Sequence, residues 1–327
     1  MPDTSLPDVA AVRAAAARLA GRVVATPLVS LPRVDAQLGG KLLIKSECLQ
    51  LTGSFKFRGA LNALSQLTGA QRRAGVVAYS SGNHGQGVAA AAWLLKMPAV
   101  IVMPADAPEV KIANTRHHGA EVVLYDRYSE NREAIAQRIA AERGAELLPP
   151  FEDARVIAGQ GTIGLEIAAE AASQGLTLDA VIASCSGGGL IGGIALALRD
   201  VSPATAICSA EPDGLDDMRR SLAAGKCVAN DPAARSICDA LLAPMPGEIT
   251  FALAQRLLAG GFAVSDDEVR DAMRTAHDEY GLIVEPGGAA ALAVVLSGKM
   301  EIKGKTVAVI ASGGNVDRAI FAALLAR

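Results

Sequence analysis

Short runs of β-branched and other apolar residues, each leading through a turn or small polar cluster to a segment with helical spacing, recur along this chain. Val76-Val77-Ala78-Tyr79 ends in Ser80-Ser81-Gly82-Asn83-His84-Gly85, Ala99-Val100-Ile101-Val102-Met103 precedes Pro104 and a helical segment, and Glu121-Val122-Val123-Leu124 precedes the charged, periodic stretch Ser129 to Arg143. The unit returns as Ala180 to Ala183 before a Leu190 to Arg199 helix, as Ala206 to Ala210, and as Thr306-Val307-Ala308-Val309-Ile310 before Ala311-Ser312-Gly313-Gly314-Asn315 and a terminal helix from Asp317. Strands separated by helices cannot pair as hairpins, so the pattern demands parallel βαβ units and a doubly wound α/β sheet. Ligands bind such a sheet beyond the carboxyl ends of its strands, and three of these ends finish in small polar loops that can converge on one site.

Asp8 to Leu19 has helical spacing behind an acidic residue and closes at Gly21, Thr26-Pro27-Leu28 breaks the pattern, and Ala60 to Leu67 reads as helix before Gly69 and Gly75. The proline pair in Leu148-Pro149-Pro150 ends one α/β block and marks a candidate crossing between domains. Beyond it Gly161 to Ala172 reads as helix, and several helices run up to Tyr280. A chain of 327 residues with 51% hydrophobic content has the material for two domains. The net charge of −3, with 20% charged residues and no basic run, argues against nucleic acid and anionic membranes as partners, and 3% aromatics leave little for base stacking. Cys48, Cys185, Cys208, Cys227 and Cys238 are scattered without a disulfide or zinc pattern. Met1 to Leu6 lacks the order of a signal peptide and no apolar run is long enough to span a bilayer, so a soluble cytoplasmic protein is expected.

Thr52-Gly53-Ser54-Phe55-Lys56-Phe57-Arg58-Gly59-Ala60 sets one lysine among small, turn-permissive residues, between the strand-like Lys41-Leu42-Leu43-Ile44-Lys45 and a helix. With Gly53 as turn and Ser54 as N-cap, Lys56 falls in the helix's first turn. The positive end of the helix dipole and partial burial both disfavour an ammonium there, which biases the side chain towards the neutral amine that a Schiff base needs. An exposed lysine snorkelling to water is the other reading that this stretch allows. Further on, Gly187-Gly188-Gly189-Leu190-Ile191-Gly192 satisfies G-x-G-x-x-G after a strand, with Glu211 ending the next strand at dinucleotide spacing. The physics of that pattern requires only a phosphate: glycines admit backbone N–H groups and a helix N-terminus favours the anion. A nicotinamide enzyme would leave Lys56 and the other polar loops without a role.

One Schiff-base lysine, one phosphate cradle and further polar strand-end loops are what pyridoxal 5′-phosphate requires. Ser54 to Ala60, Ser80-Ser81-Gly82-Asn83-His84-Gly85-Gln86, Ala158-Gly159-Gln160-Gly161-Thr162, Gly187 to Gly189, Glu285-Pro286 and Ser312-Gly313-Gly314-Asn315-Val316-Asp317 resemble, in order along nearly the whole chain, the fold-type II pyridoxal-phosphate enzymes of the threonine/serine dehydratase and serine racemase family. The resemblance implies a tryptophan synthase β-like α/β fold of two doubly wound open-sheet domains with the cofactor between them. Residues 1–65 and 153–327 would form the large cofactor-binding domain, and 66–152 the small mobile one. It implies Lys56 as Schiff-base former and base for the substrate Cα proton, and Asn83 as partner of the cofactor's phenolic oxygen. Phe55 and Glu285 would lie beside the ring, Ser186, Gly187, Gly188 and Gly189 around the phosphate, and Ser312 opposite the pyridine nitrogen. Ser186 stands where most relatives have glycine. The neutral Ser312 hydroxyl cannot hold that nitrogen protonated, which weakens the ring as an electron sink and favours β-elimination.

The implied reaction converts a 3-hydroxy amino acid (L-threonine, L-serine or 3-hydroxyaspartate) to a 2-oxo acid and ammonia, with Ser80, Ser81, Gly82 and Asn83 on the substrate carboxylate. Ser81 also matches the second acid/base of the racemase members, so a serine or aspartate racemase with side dehydratase activity stays open, as does a silent cofactor- or amino acid-binding protein. Glu211, the Leu215 carbonyl and Asp217 resemble a divalent-cation loop, whose oxygen donors suit Mg²⁺, or Ca²⁺ or Mn²⁺; an acidic strand end followed by a helix cap is the alternative. Arg132 aligns with an arginine that can contact a dicarboxylate such as 3-hydroxyaspartate, or is a solvated side chain of the charged helix Ser129 to Arg143, whereas Phe151, where racemases carry asparagine, leans towards threonine dehydratase. The four histidines show no metal spacing, and His84 is expected to structure its loop. A homodimer is implied, and feedback control through a domain beyond Arg327 is not expected.

Overall fold

The computed structural model describes residues 6–80, 82–107 and 109–326. In chain order its strands are β1 (Leu28–Val29), β2 (Lys41–Lys45), β3 (Val76–Tyr79), β4 (Ala99–Pro104), β5 (Glu121–Tyr125), β6 (Glu146–Leu147), β7 (Ala180–Ser184), β8 (Ala206–Pro212), β9 (Gly260–Val264) and β10 (Thr306–Ile310). The helices are α1 (Val9–Leu19), α2 (Pro32–Leu38), α3 (Lys56–Ser65), α4 (Gly69–Ala74), α5 (Asn83–Leu94), α6 (Glu109–His117), α7 (Arg132–Arg143), α8 (Ala154–Ser173), α9 (Gly189–Val201), α10 (Asp217–Ala224), α11 (Glu248–Leu257), α12 (Asp266–Tyr280), α13 (Pro286–Leu296) and α14 (Arg318–Leu325).

The strands form two sheets. A six-stranded sheet runs β1-β2-β10-β7-β8-β9, parallel except for the β1 edge, and a four-stranded sheet runs β5-β4-β3-β6, parallel throughout. Period-two alternation divides each sheet between two cores. Leu42, Ile44, Val307 and Val309 pack with α12 and α13, while Leu43, Ala308 and Ile310 pack with residues of α8, α9 and α11. In the smaller sheet Val76, Ala78 and Ile101 face α3 and α5, and Val77, Val100 and Val102 face α7. Helix α3 packs on both α5 and α8, so Lys56 starts a helix held between elements flanking each sheet. No helix among the described residues is long and apolar enough to cross a membrane. The five cysteines are free thiols.

Several local signals act as read. Asp8, Asn131, Asp153 and Asp317 accept first-turn N–H groups, and Thr68 and Ser265 close capping boxes. Three readings differ. The region taken as purely helical before Tyr280 contains β9, an edge strand opened by Gly260-Gly261, which offers too few branched side chains to read as a strand. Helix α8 begins at Ala154, well before Gly161, because its glycines, poor helix formers locally, serve close packing. A Cβ on Gly159 would lie 2.7 Å from the Gly59 Cα, and one on Gly161 2.7 Å from the Gly193 carbonyl oxygen. Finally, Ser54 is not the cap of α3: Phe55 occupies that position without a side-chain bond, while Ser54 bridges Gly313 with its buried hydroxyl unpartnered.

Candidate active site

Four helices open on one cavity, each following a strand's carboxyl end. Lys56, Asn83, Arg132 and Gly189 are the first residues of α3, α5, α7 and α9, and all line it, so the positive dipole ends of four helices converge on a site suited to anions, although Asn131 caps the first-turn N–H groups of α7. The Lys56 Nζ donates to the Pro150 carbonyl at 2.7 Å and sits 5.2 Å from the Phe55 ring centroid. Burial lowers its pKa from 10.5 to about 8, which keeps a usable fraction of neutral amine near neutral pH. Behind it, His84 is buried with one ring nitrogen 3.0 Å from the Leu148 carbonyl. Burial, and then the Lys56 charge, push its pKa down to about 3, so the imidazole is neutral.

Asn83 is held from two sides. Its amide nitrogen donates to the Glu285 carboxylate, and its oxygen accepts from Asn315 at 2.8 Å. An amide NH₂ carries two hydrogens, so one remains for a ligand. Glu285 is fully buried and its pKa rises to about 7, burial outweighing the opposing Lys111 charge. Gly313 makes room for it, since a Cβ there would lie 2.2 Å from a Glu285 carboxylate oxygen.

The Ser186 to Gly189 loop leaves β7 and opens α9. Gly188 adopts φ +93, a left-handed conformation that costs glycine little, and a Cβ there would also press on Thr250 and Met218. The Thr250 hydroxyl donates to the Gly187 carbonyl at 2.6 Å and holds the loop's curve. Ser186 accepts from the Ala243 N–H at 3.1 Å, so its hydroxyl ties down the long 225–247 segment and keeps its own proton to donate. Ser312 also lines the cavity, and its carbonyl accepts from the Phe55 N–H at 3.1 Å, which ties it to the start of α3.

Phe55, Ser80 and Gly82 join the same lining, as does Arg132, which is partly buried. Ser81 lies outside the described residues. Glu211, Leu215 and Asp217 sit apart from the cavity wall, behind the phosphate loop. Glu211 accepts the Met218 and Arg219 N–H groups at 2.8 Å each and so caps α10, the alternative role foreseen for this acidic stretch. Burial pushes Glu211 up to about 8 and Asp217 up to about 6, and one buried Asp217 oxygen has no partner. Among the described residues no group of three or more His, Cys, Asp or Glu forms a metal cluster; the unpartnered Asp217 oxygen is a hard donor of the kind a divalent cation takes.

Sequence reasoning missed Lys111, Asp239 and Tyr79. Lys111 is buried, donates to Asp239 at 2.7 Å and lies 3.7 Å from Glu285; burial opposes its charge, but the two carboxylates outweigh it and raise its pKa. Nothing local in Glu109 to His117 marks it, because its burial arises from packing against Gly82 and Glu285, which are remote in sequence.

A lysine with a lowered pKa, a glycine-rich loop on a helix N-terminus, a side-chain amide with one hydrogen to spare and an uncharged hydroxyl line one cavity, a set whose chemistry fits pyridoxal phosphate. The family model described as pyridoxal-phosphate dependent enzyme covers residues 19–313. The chain belongs to this family. It is 43% identical over 311 residues to an L-threo-3-hydroxyaspartate ammonia-lyase of a Pseudomonas species, which spans 95% of this chain and 96% of the relative. A Saccharomyces cerevisiae protein of the same name is 41% identical over 301 residues, spanning 92% and 90%. Maize serine racemase superposes with a TM-score of 0.92 at 38% identity, covering 98% of this chain and 97% of that structure. The fold-type II architecture expected from the motifs is the one observed.

Proposed function

We propose that this pyridoxal-phosphate enzyme is an ammonia-lyase for 3-hydroxy amino acids, with 3-hydroxyaspartate as its preferred substrate. The observation that carries the substrate choice is Arg132, which lines the cavity that holds Lys56 and, among the described residues, is paired with no carboxylate. A second substrate carboxylate is the partner it lacks, and two relatives are named for this activity.

Lys56 would hold the cofactor through its aldehyde and, as a free amine, would take the substrate Cα proton; a pKa lowered to about 8 suits both tasks. When bound, the cofactor supplies the electron sink for the Cα carbanion and an acidic phosphate for the leaving hydroxyl. Asn83 would hold the ring oxygen, Phe55 and Glu285 would flank the ring, Ser186 to Gly189 would hold the phosphate, and Ser312 would face the pyridine nitrogen without charging it. Ser80, Ser81, Gly82 and Asn83 hold the α-carboxylate at the start of α5. The Cα–H and Cβ–O bonds break, water leaves, and hydrolysis of the resulting enamine yields a 2-oxo acid and ammonia. Glu211, the Leu215 carbonyl and Asp217 would hold Mg²⁺ or Ca²⁺ and brace the far side of the phosphate loop. Residues 66–152 serve as a mobile small domain against 1–65 and 153–327. The exposed Leu49, Leu51 and Ile283 support a homodimer, and the free thiols a reducing cytoplasm.

Measuring oxo acid and substrate enantiomer for serine, threonine and 3-hydroxyaspartate, with and without Mg²⁺, tests the reading. We expect 3-hydroxyaspartate to give oxo acid with kcat/KM at least roughly tenfold above threonine, the value of one good ion pair in a partly desolvated site. Accumulation of a substrate enantiomer without oxo acid would make the protein a racemase instead.

A further inference from the structure

Tyr79 lines the same cavity and has no part in the scheme above. It is the last residue of β3, and its partly buried ring is packed against the core formed by Val77, Val100, Val102 and Ala136. The Arg132 guanidinium carbon stands 5.5 Å from the centroid of that ring. An arginine at the start of a helix is poorly placed, since the dipole repels it and its long side chain is free to swing into water. An aromatic face offsets both problems: it attracts the cation and restricts the guanidinium plane without consuming its N–H donors. Burial and the neighbouring Glu133 carboxylate push the Tyr79 hydroxyl up to about 12, so the ring stays neutral and keeps its attractive face at working pH.

We propose that Tyr79 is the positioning residue for substrate selection: its ring fixes Arg132 at the cavity wall, with the guanidinium donors directed at the second carboxylate of a dicarboxylic substrate. The inference rests on the reading of 3-hydroxyaspartate as substrate. A carboxylate meeting a guanidinium already fixed in orientation loses little ordering entropy, so Tyr79 acts on dicarboxylate binding while the elimination step, centred on Lys56, is unaffected. A monocarboxylic substrate, with nothing for Arg132 to hold, should be indifferent to the ring.

The test compares holoenzymes carrying Tyr79→Leu, Tyr79→Phe, Arg132→Ala and Tyr79→Leu with Arg132→Ala, using L-threo-3-hydroxyaspartate and L-threonine. The expected result is a KM for 3-hydroxyaspartate raised roughly tenfold by Tyr79→Leu, with kcat within about twofold and the threonine parameters unmoved. Tyr79→Phe, which keeps the face, restores the wild-type KM, and the double variant is no worse than Arg132→Ala alone. The cofactor's visible absorption reports an intact site in each variant. Equal losses on both substrates, or Tyr79→Phe behaving like Tyr79→Leu, would overturn the proposal. A wild-type enzyme that prefers threonine overturns the substrate reading and the ring's role with it. One that prefers 3-hydroxyaspartate, with a substrate ratio insensitive to Tyr79→Leu, overturns the ring's role alone.

Discussion

Lys56 shows how much one residue's setting changes its chemistry. An ordinary lysine amine is almost wholly protonated at neutral pH, whereas burial at the start of α3 brings this one down from 10.5 to about 8. Capture of pyridoxal phosphate by the apoprotein needs the neutral amine, so its rate is expected to rise with pH through about 8 and then level off, as followed by the growth of visible absorption. A profile still rising at pH 10 would remove this account of the lysine. The same shift has a stability consequence of definite sign. The folded chain holds the proton less tightly than the unfolded one, so the ammonium weakens the fold below pH 8, and that cost disappears as pH rises from about 8 to 10.5. Lys56→Met should therefore raise apoprotein stability at pH 7 by about 1–2 kcal/mol, discounted for the side chain's partial exposure, with the difference closing by pH 10.5 in thermal melts.

At the scale of elements, function sits in loops whose geometry permits almost no side chain. A Cβ on Gly187 would lie 2.3 Å from the Phe151 ring, so Gly187→Ala must displace either that ring or the phosphate cradle. The expected result is at least roughly tenfold weaker cofactor binding with little change in apoprotein melting, partly recovered by adding Phe151→Ala. Full cofactor affinity in Gly187→Ala would show that the cradle tolerates bulk. On the opposite side of this loop, Mg²⁺ or Ca²⁺ should raise the melting temperature of the wild type and EDTA should reverse it, with no response in Asp217→Asn. These loops were legible in the sequence because glycine and small polar residues clustered at the ends of apolar runs. The strands β2, β7, β8 and β10 were legible too, since a strand buried on both faces reads as an unbroken apolar run. What escaped notice depended on tertiary partners. β9 lies at a sheet edge with glycines at its start, the glycines of α8 serve contacts with α3 and α9, and α3 starts without a side-chain cap. Lys111 meets Asp239 and Glu285 only because elements distant in sequence pack together.

Across the whole molecule, the stretch that carries Lys56 is anchored by charges buried just behind it. Arg58, with no exposure, takes both oxygens of Glu47 at 2.8 Å and both of Glu166 at 2.6 and 2.9 Å, and also reaches Thr162 and the Val24 carbonyl. Lys45, equally buried on β2, joins Glu166 at 2.9 Å and the Thr26 carbonyl at 2.6 Å. The N-terminal segment, β2, α3 and α8 therefore meet in one network, which fixes the rotation of α3 and with it the direction in which Lys56 leaves the helix. Burial works against the Arg58 charge, yet Glu47 and Glu166 hold it firmly protonated, so the network is satisfied only while its members are all present. Arg58→Met should cost about 3–5 kcal/mol in urea unfolding of the apoprotein, because Glu47, itself without exposure, keeps the Thr26 hydroxyl but loses its charge partner. That is a large share of the 5–15 kcal/mol that usually holds a domain together. Adding Glu47→Leu should recover more than half of the loss, since two apolar groups replace a buried pair at little net cost while Glu166, partly exposed, turns to water. A loss below about 1 kcal/mol for Arg58→Met alone would mean that the network positions α3 without stabilising the fold.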